Sequence, residues 1–383
     1  MKIASTLALI PAALGLIAPQ VNAQSVTLYG VVDSGLSYMT TNTGNRTSLV
    51  SGGLSSNRWG IRGSEDLGDG LQAVFRLENG FSIVNGKLGQ GGRQFGRQSV
   101  VGLASQRWGT VIFGRMYDPV VDMTEVLTAE TIGGSPFATP GDVDNNDGSA
   151  RVSNAVKYTS PVIAGLRAEA MYALGGIAGQ NGQGYTAAGA VSYTYESLSV
   201  AGGYYQASNT HRDSTLRLGW SGASSDSLFD GGSINAAYAT AHVIGIAQVA
   251  TQYTGKRVSF GFGYSNATYR PDALSSFSRT ETYNTARAFT FYRVNPMLQF
   301  GLGYAYTHAS GDTSASYHQF SAGSFYNLSV RTDVYLTGAY QIAKGTQRTA
   351  DGGTQRAVAS ISSYGVDGTR WQALALVGMR HRF

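Results

Sequence analysis

The side chains of this 383-residue chain that could do chemistry fall into an acidic stretch and a set of arginines. Residues 118–150 carry Asp118, Asp122, Glu125, Glu130, Asp142, Asp144 and Asp147, and no Lys or Arg. Upstream, Arg58 and Arg62 flank Trp59 and Ile61. Successive side chains on an extended strand point to opposite faces, so both arginines share the face that the two apolar residues leave. Arg76 and Arg167 fall on polar faces in the same way. Acids set against guanidiniums across a narrow aqueous passage would create a transverse field, and low-dielectric walls would make each charge count for more than in bulk water. Arg suits such a place better than Lys because its guanidinium stays ionised when other cations crowd it. The chemistry implied is the sorting of solutes by size and charge.

Bond-making chemistry finds less support. The histidines are His211, His242, His308, His318 and His381, with no His-Glu-x-x-His and no Gly-x-Ser-x-Gly, and the absence of Cys excludes thiol catalysis and thiolate metal sites. A Ser-His-Asp set is defined by geometry and not by spacing, and no spacing here selects one. The segment 142–148 resembles the start of a calcium loop, but its glycine falls one position late and Ser153 stands where the closing Glu belongs. It reads as an acidic polar turn. No cofactor, metal or enzymatic activity is expected.

The elements that would position these residues follow from composition. Met1 and Lys2 precede an apolar run over 3–18 and a small-residue pattern at Val21 and Ala23, which reads as a secretory signal peptide, residues 1–23, removed to leave 24–383. A transmembrane anchor fits less well, because the run is short and holds Pro11 and Gly15. The rest contains no apolar run of eighteen residues, so no segment can cross a bilayer as a helix. With 51 Gly, 23 Tyr, 8 Pro and 13% charged residues, the chain reads as all-β. A net charge of +5 without a basic block gives no argument for nucleic acid.

Strict alternation runs through 258–265, where Val, Phe, Phe and Tyr alternate with Ser, Gly, Gly and Ser. It recurs over 298–306, 71–81, 166–172, 198–204 and 334–340, and in several of these a Tyr or Phe closes the apolar face. An apolar face ending in aromatics fits a lipid-facing wall with an interfacial girdle. Short turns alternate with long connections at 40–54, 82–92, 118–150, 174–184, 208–232, 271–279, 309–314 and 344–369, which predicts about 16 strands. Segments 215–219 and 233–241 also look strand-like. Closure of such a sheet into a transmembrane antiparallel β-barrel leaves no unpaired edge in hydrocarbon. The acidic stretch occupies the third long connection.

Ser25-Val26-Thr27-Leu28-Tyr29-Gly30-Val31-Val32-Asp33 resembles the first strand of the general porins of β-proteobacteria, and Arg58-Trp59-Gly60-Ile61-Arg62-Gly63-Ser64-Glu65-Asp66-Leu67-Gly68-Asp69-Gly70 their second strand and first turn. Gly109-Thr110-Val111-Ile112-Phe113-Gly114-Arg115, Val156-Lys157-Tyr158, Tyr326-Asn327-Leu328-Ser329-Val330-Arg331-Thr332 and the terminal Gly378-Met379-Arg380-His381-Arg382-Phe383 extend the resemblance along the chain, with Val330 where the family usually has Lys. The resemblance implies a homotrimer of sixteen-stranded barrels in the outer membrane. It also implies a third extracellular loop, 118–150, folded into the pore, neighbours of membrane lipid and lipopolysaccharide, and a terminal Phe383 read by the insertion machinery. It adds Arg115 and Arg151 to Arg58 and Arg62 as constriction residues opposite Asp118, Asp122, Glu125 and Glu130.

Two other classes share some of these features. A secreted β-sandwich adhesin would alternate too, but does not require Phe383 or the girdle. A sugar-specific channel would need an aromatic track in its lumen, for which Tyr29, Tyr205 and Tyr335 fall on polar faces. The arginines and the family's frequent anion preference point one way and the acidic loop the other. The expectation is a weakly anion-selective diffusion pore for small hydrophilic solutes and ions.

Overall fold

The computed structural model describes residues 25–176, 178–179, 182–209, 225–226, 234–365 and 368–383, so the expected signal peptide and the strand-like segment 215–219 lie outside the described residues. The first strand, β1, is Ser25–Thr41. Two segments, Gly44–Ser51 and Arg58–Gly68, pair with its two halves and together make β2. Then come β3 (Leu71–Gly80), β4 (Gln98–Ser105), β5 (Gly109–Met116), β6 (Arg151–Thr159) and β7 (Leu166–Ala173). They are followed by β8 (Thr186–Tyr195), β9 (Leu198–Ser208), β10 (Val243–Thr254), β11 (Val258–Arg270) and β12 (Glu281–Arg293). The last four are β13 (Leu298–Ser310), β14 (Ser314–Asn327), β15 (Thr332–Arg348) and β16 (Trp371–Arg382). Each strand pairs antiparallel with the next, and β16 pairs with β1. The result is a closed barrel of sixteen strands, with no edge left for lipid to meet.

Closure runs to the last residue. Gly30 N–H donates to the Phe383 carbonyl at 3.0 Å, and Phe383 N–H to the Gly30 carbonyl at 3.1 Å. The Phe383 ring lies so close over Gly30 that a Cβ there would come within 2.3 Å of it.

The burial pattern is the inverse of a soluble sheet. Phe262 and Leu302 are 58% and 60% exposed on the outer face, while Thr307 and Gln341 on the inner face are 0% exposed. Apolar side chains toward the outside and polar ones within are what a lipid surround selects. Aromatics mark the edges of the band, with Tyr253 stacked on Phe260 at 5.3 Å and Tyr304 against Phe320 at 5.0 Å.

Three expectations need correction. The connection placed at 40–54 is strand through Gly44–Ser51, with the hairpin at 42–43. The Thr, Ser and Asn there read as loop because they lie beyond the lipid, where nothing demands an apolar face. The true interruption, 52–57, folds inward around the buried Asp33 carboxylate. That carboxylate accepts from the N–H groups of Gly53, Leu54 and Ser55 at 3.1, 2.9 and 2.9 Å and from the Tyr335 hydroxyl at 2.6 Å. The connection placed at 309–314 is a tight turn between β13 and β14, paired up to Ser310 and Ser314. Residues 234–241 are turns around a short helix, Ala236–Tyr238, and not a strand. Tyr238 is buried among Phe277, Tyr269 and Tyr283, with ring centroids 4.9, 6.0 and 6.3 Å away, so its apolar pattern serves packing against the wall instead of pairing.

Candidate pore constriction

The long connection between β5 and β6 turns into the barrel. Asp118 starts it by capping α1 (Pro119–Thr124), its carboxylate accepting from the N–H groups of Val120 and Val121 at 2.8 and 3.2 Å. Pro119 suits the first helical position because it has no N–H to leave unpaired. A single helical turn (Glu125–Leu127), α2 (Glu130–Gly133) and two more short turns lead back to β6. Val120, Met123, Leu127, Phe137 and Val143 are buried. Phe137 stacks on Phe291 at 5.7 Å and occupies space that Gly303 leaves, since a Cβ on that glycine would lie 2.8 Å from the ring.

Polar anchors fix this loop to β10–β14. The Asp144 carboxylate accepts from Arg287 Nη2 at 3.1 Å, from Thr139 at 3.2 Å and from Ser265. Gln248 donates to the Asp144 carbonyl at 2.6 Å and Tyr269 to the Val143 carbonyl at 2.7 Å. Gln319 donates to the carbonyls of Pro136 and Ala138 at 3.0 and 2.8 Å, and Ser321 to Pro136 at 2.6 Å. A loop held at this many points is a fixed narrowing of the lumen, and the open space remains beside β1–β9.

Four arginines stand on the wall facing the loop, Arg58 half-buried and Arg97, Arg115 and Arg151 buried. Tyr117 joins two of them: Arg97 and Arg151 both donate to its hydroxyl and lie over its ring, at 5.8 and 4.6 Å from the centroid. Arg97 Nε bonds Glu78 Oε1 at 2.7 Å, and Tyr29 donates to Glu78 Oε2 at 2.9 Å. Arg151 Nη1 donates to the Ser149 carbonyl at 2.6 Å. Arg115 donates to the Gly96 carbonyl at 2.7 Å and to Ser153 at 2.8 Å, and Arg58 to the Ser56 carbonyl at 2.9 Å.

The carboxylates of the loop are handled one by one. Asp118 is buried with its carboxylate spent on the cap of α1, and burial pushes its carboxyl up to about 6. Asp122 pairs with Lys157, whose ammonium also donates to the Tyr117 carbonyl at 3.1 Å and lies 3.8 Å from Glu169. Glu125 and Glu130 hydrogen-bond one another. Burial first, then the Asp147 charge, pushes Glu130 up to about 8, against the opposing pull of Arg58 and Arg380. Burial and Glu130 raise Glu125 well above the usual carboxylate range. Asp142 accepts from Ser149 and from the Asp147 N–H, and Asp147 from Ser135 and Ser362, which makes 142–148 a hydrogen-bonded turn.

Arg62 faces the lumen but stands apart from the other three sequence-predicted arginines. It lies over the Tyr29 ring at 5.4 Å and lines a cavity of about 710 Å³ below the loop, together with Arg76 and Arg167. Sequence reading missed Arg97, Tyr117, Lys157 and Arg287. Lys157 shares its face with Thr159 and opposes Val156 and Tyr158, so strand parity could have found it. Arg97 and Tyr117 lie on connections, where no periodicity helps. Tyr29, Tyr205 and Tyr335 point inward from β1, β9 and β15; Tyr29 and Tyr335 serve buried carboxylates, and the three form no track. The described histidines are dispersed: His242 lies 3.3 Å from Asp272, His318 meets the Tyr304 hydroxyl at 2.8 Å and His381 meets Thr332 at 2.8 Å.

A family model described as Gram-negative porin matches residues 6–346. The major outer membrane protein P.IB of Neisseria gonorrhoeae is 28% identical over 345 residues, 84% of this chain and 90% of that protein. An outer membrane porin protein of Bordetella pertussis is 45% identical over 106 residues, 24% of this chain and 28% of that one. Among solved structures, an anion-selective porin from Comamonas acidovorans superposes with a TM-score of 0.69 at 23% identity, covering 94% of this chain and all of that one. The chain belongs to the Gram-negative porin family, and its sixteen-stranded barrel is an outer-membrane channel for passive diffusion.

Proposed function

We propose that this channel is a weakly anion-selective general diffusion pore for small hydrophilic solutes and ions, working as a homotrimer. The observation that carries the selectivity is a charge balance at the narrowing. Arg58, Arg97, Arg115 and Arg151 stand against one wall carboxylate, Glu78, which pairs with Arg97, whereas the loop's acids are already engaged: Asp118 caps α1, Asp122 pairs with Lys157, Asp144 with Arg287, Asp142 and Asp147 accept hydrogen bonds within their turn and from Ser135 and Ser362, and the Glu125–Glu130 pair holds a proton. The excess charge on the passage is therefore positive, despite the acidic sequence of the loop.

The outer surface supports the assembly. Among the described residues, β1–β5 expose one tyrosine, Tyr38, while β6–β15 expose eleven. A tyrosine girdle is useful only against lipid headgroups, so the tyrosine-poor apolar face of β1–β5, with Val26, Leu28, Val101, Leu103 and Phe113, is the surface turned to neighbouring copies. Lipopolysaccharide is the proposed neighbour at the opposite rim, where exposed Arg270 and Lys344 stand beyond Tyr264 and Tyr340. The pairing of Phe383 with Gly30 places the terminal residue at the closing seam, consistent with a role in insertion.

Reconstitution in a planar bilayer under a salt gradient tests the reading. Conductance in triplet steps with an anion-favouring reversal potential is expected, moving toward the cation side in Arg58→Gln and Arg97→Gln. A cation-favouring potential in the unaltered protein would overturn the selectivity, and single, uncorrelated steps would overturn the trimer.

A further inference from the structure

Below the constriction, Arg62 on β2 and Arg76 on β3 are direct cross-strand partners. Both point into the lumen and line the same cavity. Like charges directly opposite one another on adjacent strands destabilise a sheet. The usual remedy is a carboxylate beside them, and here the nearest acid on β3 is already occupied. Glu78 gives one oxygen to Arg97 and the other to Tyr29. The contacts that Arg62 and Arg76 do make are to the Tyr29 ring, 5.4 Å from the guanidinium carbon, and to Gln98 Oε1 at 3.2 Å. These contacts orient the two guanidiniums without neutralising either. Across the cavity, Lys157 is satisfied by Asp122 and Glu169, and Arg167 lies 3.4 Å from Glu169, so the surplus charge sits on the Arg62–Arg76 pair.

We propose that Arg62 and Arg76 form a binding subsite for a small doubly charged oxyanion of the phosphate class, distinct from the constriction and resting on the reading of the barrel as a pore. Arg62 lies four residues from Arg58, or roughly 13 Å along the strand toward the short-turn end at ~3.3 Å per residue. An anion that has passed the narrowing therefore meets the pair next. Guanidinium forks bind phosphate oxygens bidentately, and two forks on adjacent strands bracket a single compact dianion better than the separated charges of a dicarboxylate. Tyr29 and Gln98 hold the forks in place before the anion arrives, and the cavity leaves it room to keep part of its hydration shell.

The test uses the full protein in a planar bilayer carrying a chloride current, with inorganic phosphate added from the short-turn side. Saturable reduction of the chloride current is expected, with the half-blocking concentration rising about tenfold in Arg62→Gln and in Arg76→Gln and by less in Arg62→Lys and Arg76→Lys, which keep charge but lose the fork. Chloride conductance in each variant shows that the barrel has formed. A phosphate response that never saturates, or one unchanged in both Gln variants, would overturn the subsite. Malonate blocking at the same concentration as phosphate would overturn the phosphate assignment. No chloride current in the unaltered protein would instead sink the pore reading on which the subsite rests.

Discussion

The most direct probe of the constriction is the pair that fastens its loop to the wall. The side chains of Asp144 and Arg287 are 0% and 8% exposed, and the carboxylate also accepts from Thr139 and Ser265. Removing one partner of such a pair strands the other as an uncompensated buried charge, at a cost of about 3–5 kcal/mol. The remaining anchors, Gln248 on the Asp144 carbonyl, Tyr269 on the Val143 carbonyl, and Gln319 and Ser321 on the Pro136 carbonyl, contribute about 1 kcal/mol each and keep a weaker hold on the same middle stretch. Asp144→Ala should therefore loosen the middle of the loop, left on these weaker backbone anchors, without melting the barrel. A loss of about 3 kcal/mol shifts the local open-to-closed ratio by about two decades. The expected readout is single-channel current with frequent excursions to higher conductance, together with fast hydrogen exchange at the amides of Val143 and Asn145. Replacing both partners by apolar groups, Asp144→Val with Arg287→Leu, removes the stranded charge and should restore quiet openings, because a well-packed apolar pair is often as stable as the buried ion pair it replaces. A quiet Asp144→Ala channel with protected amides, or a double variant as noisy as the single one, would refute the anchoring argument.

Three further outcomes are expected. Glu130 keeps its proton up to about pH 8, so raising the pH from about 7 to about 9 adds nearly one negative charge to the loop and should move the reversal potential toward the cation side. The sign for stability is the same: a raised carboxyl value means that the folded loop binds the proton longer than the unfolded chain, so its stability falls between the ordinary carboxyl value and about 8. Glu130→Gln should abolish the selectivity shift, and a potential flat across that range in the unaltered protein would count against the shared proton. Arg97→Met leaves Glu78 buried without its cation and should lower barrel stability by about 3 kcal/mol, measurable as a depressed thermal midpoint; an unchanged midpoint would show that Glu78 finds another partner. Deleting Phe383 removes two backbone hydrogen bonds at the seam and the ring over Gly30, so insertion into the outer membrane should slow while refolded protein conducts normally. Normal insertion would separate the terminal aromatic from assembly.

The barrel was legible because the bilayer imposes a rule on every strand that crosses it. Where lipid touches the chain, as at Phe260, Phe262 and Tyr264, one face must be apolar, and a period of two appears in the sequence. Where the strands run on past the lipid the rule lapses, so the strand at Gly44–Ser51 is written in Thr, Ser and Asn and looks like a loop. Tyr238 shows the converse: its apolar neighbours serve packing inside the barrel, and their pattern imitates a strand.

The constriction was legible only in part, because strand parity fixes the direction of a side chain and not its depth. Arg58 and Arg62 share a face and were read as one site, yet one stands at the level of the loop and the other lines the cavity below it. Counting charge misled in a second way. Seven carboxylates in one loop read as a negative surface, but a carboxylate that caps a helix, pairs with a buried arginine or shares a proton contributes little field to the passage. Whether an acid acts on a permeating ion depends on what has already claimed its oxygens; the α1 N–H groups that claim Asp118 are two and three residues away, but Lys157 and Arg287 come from strands that only the fold brings to the loop.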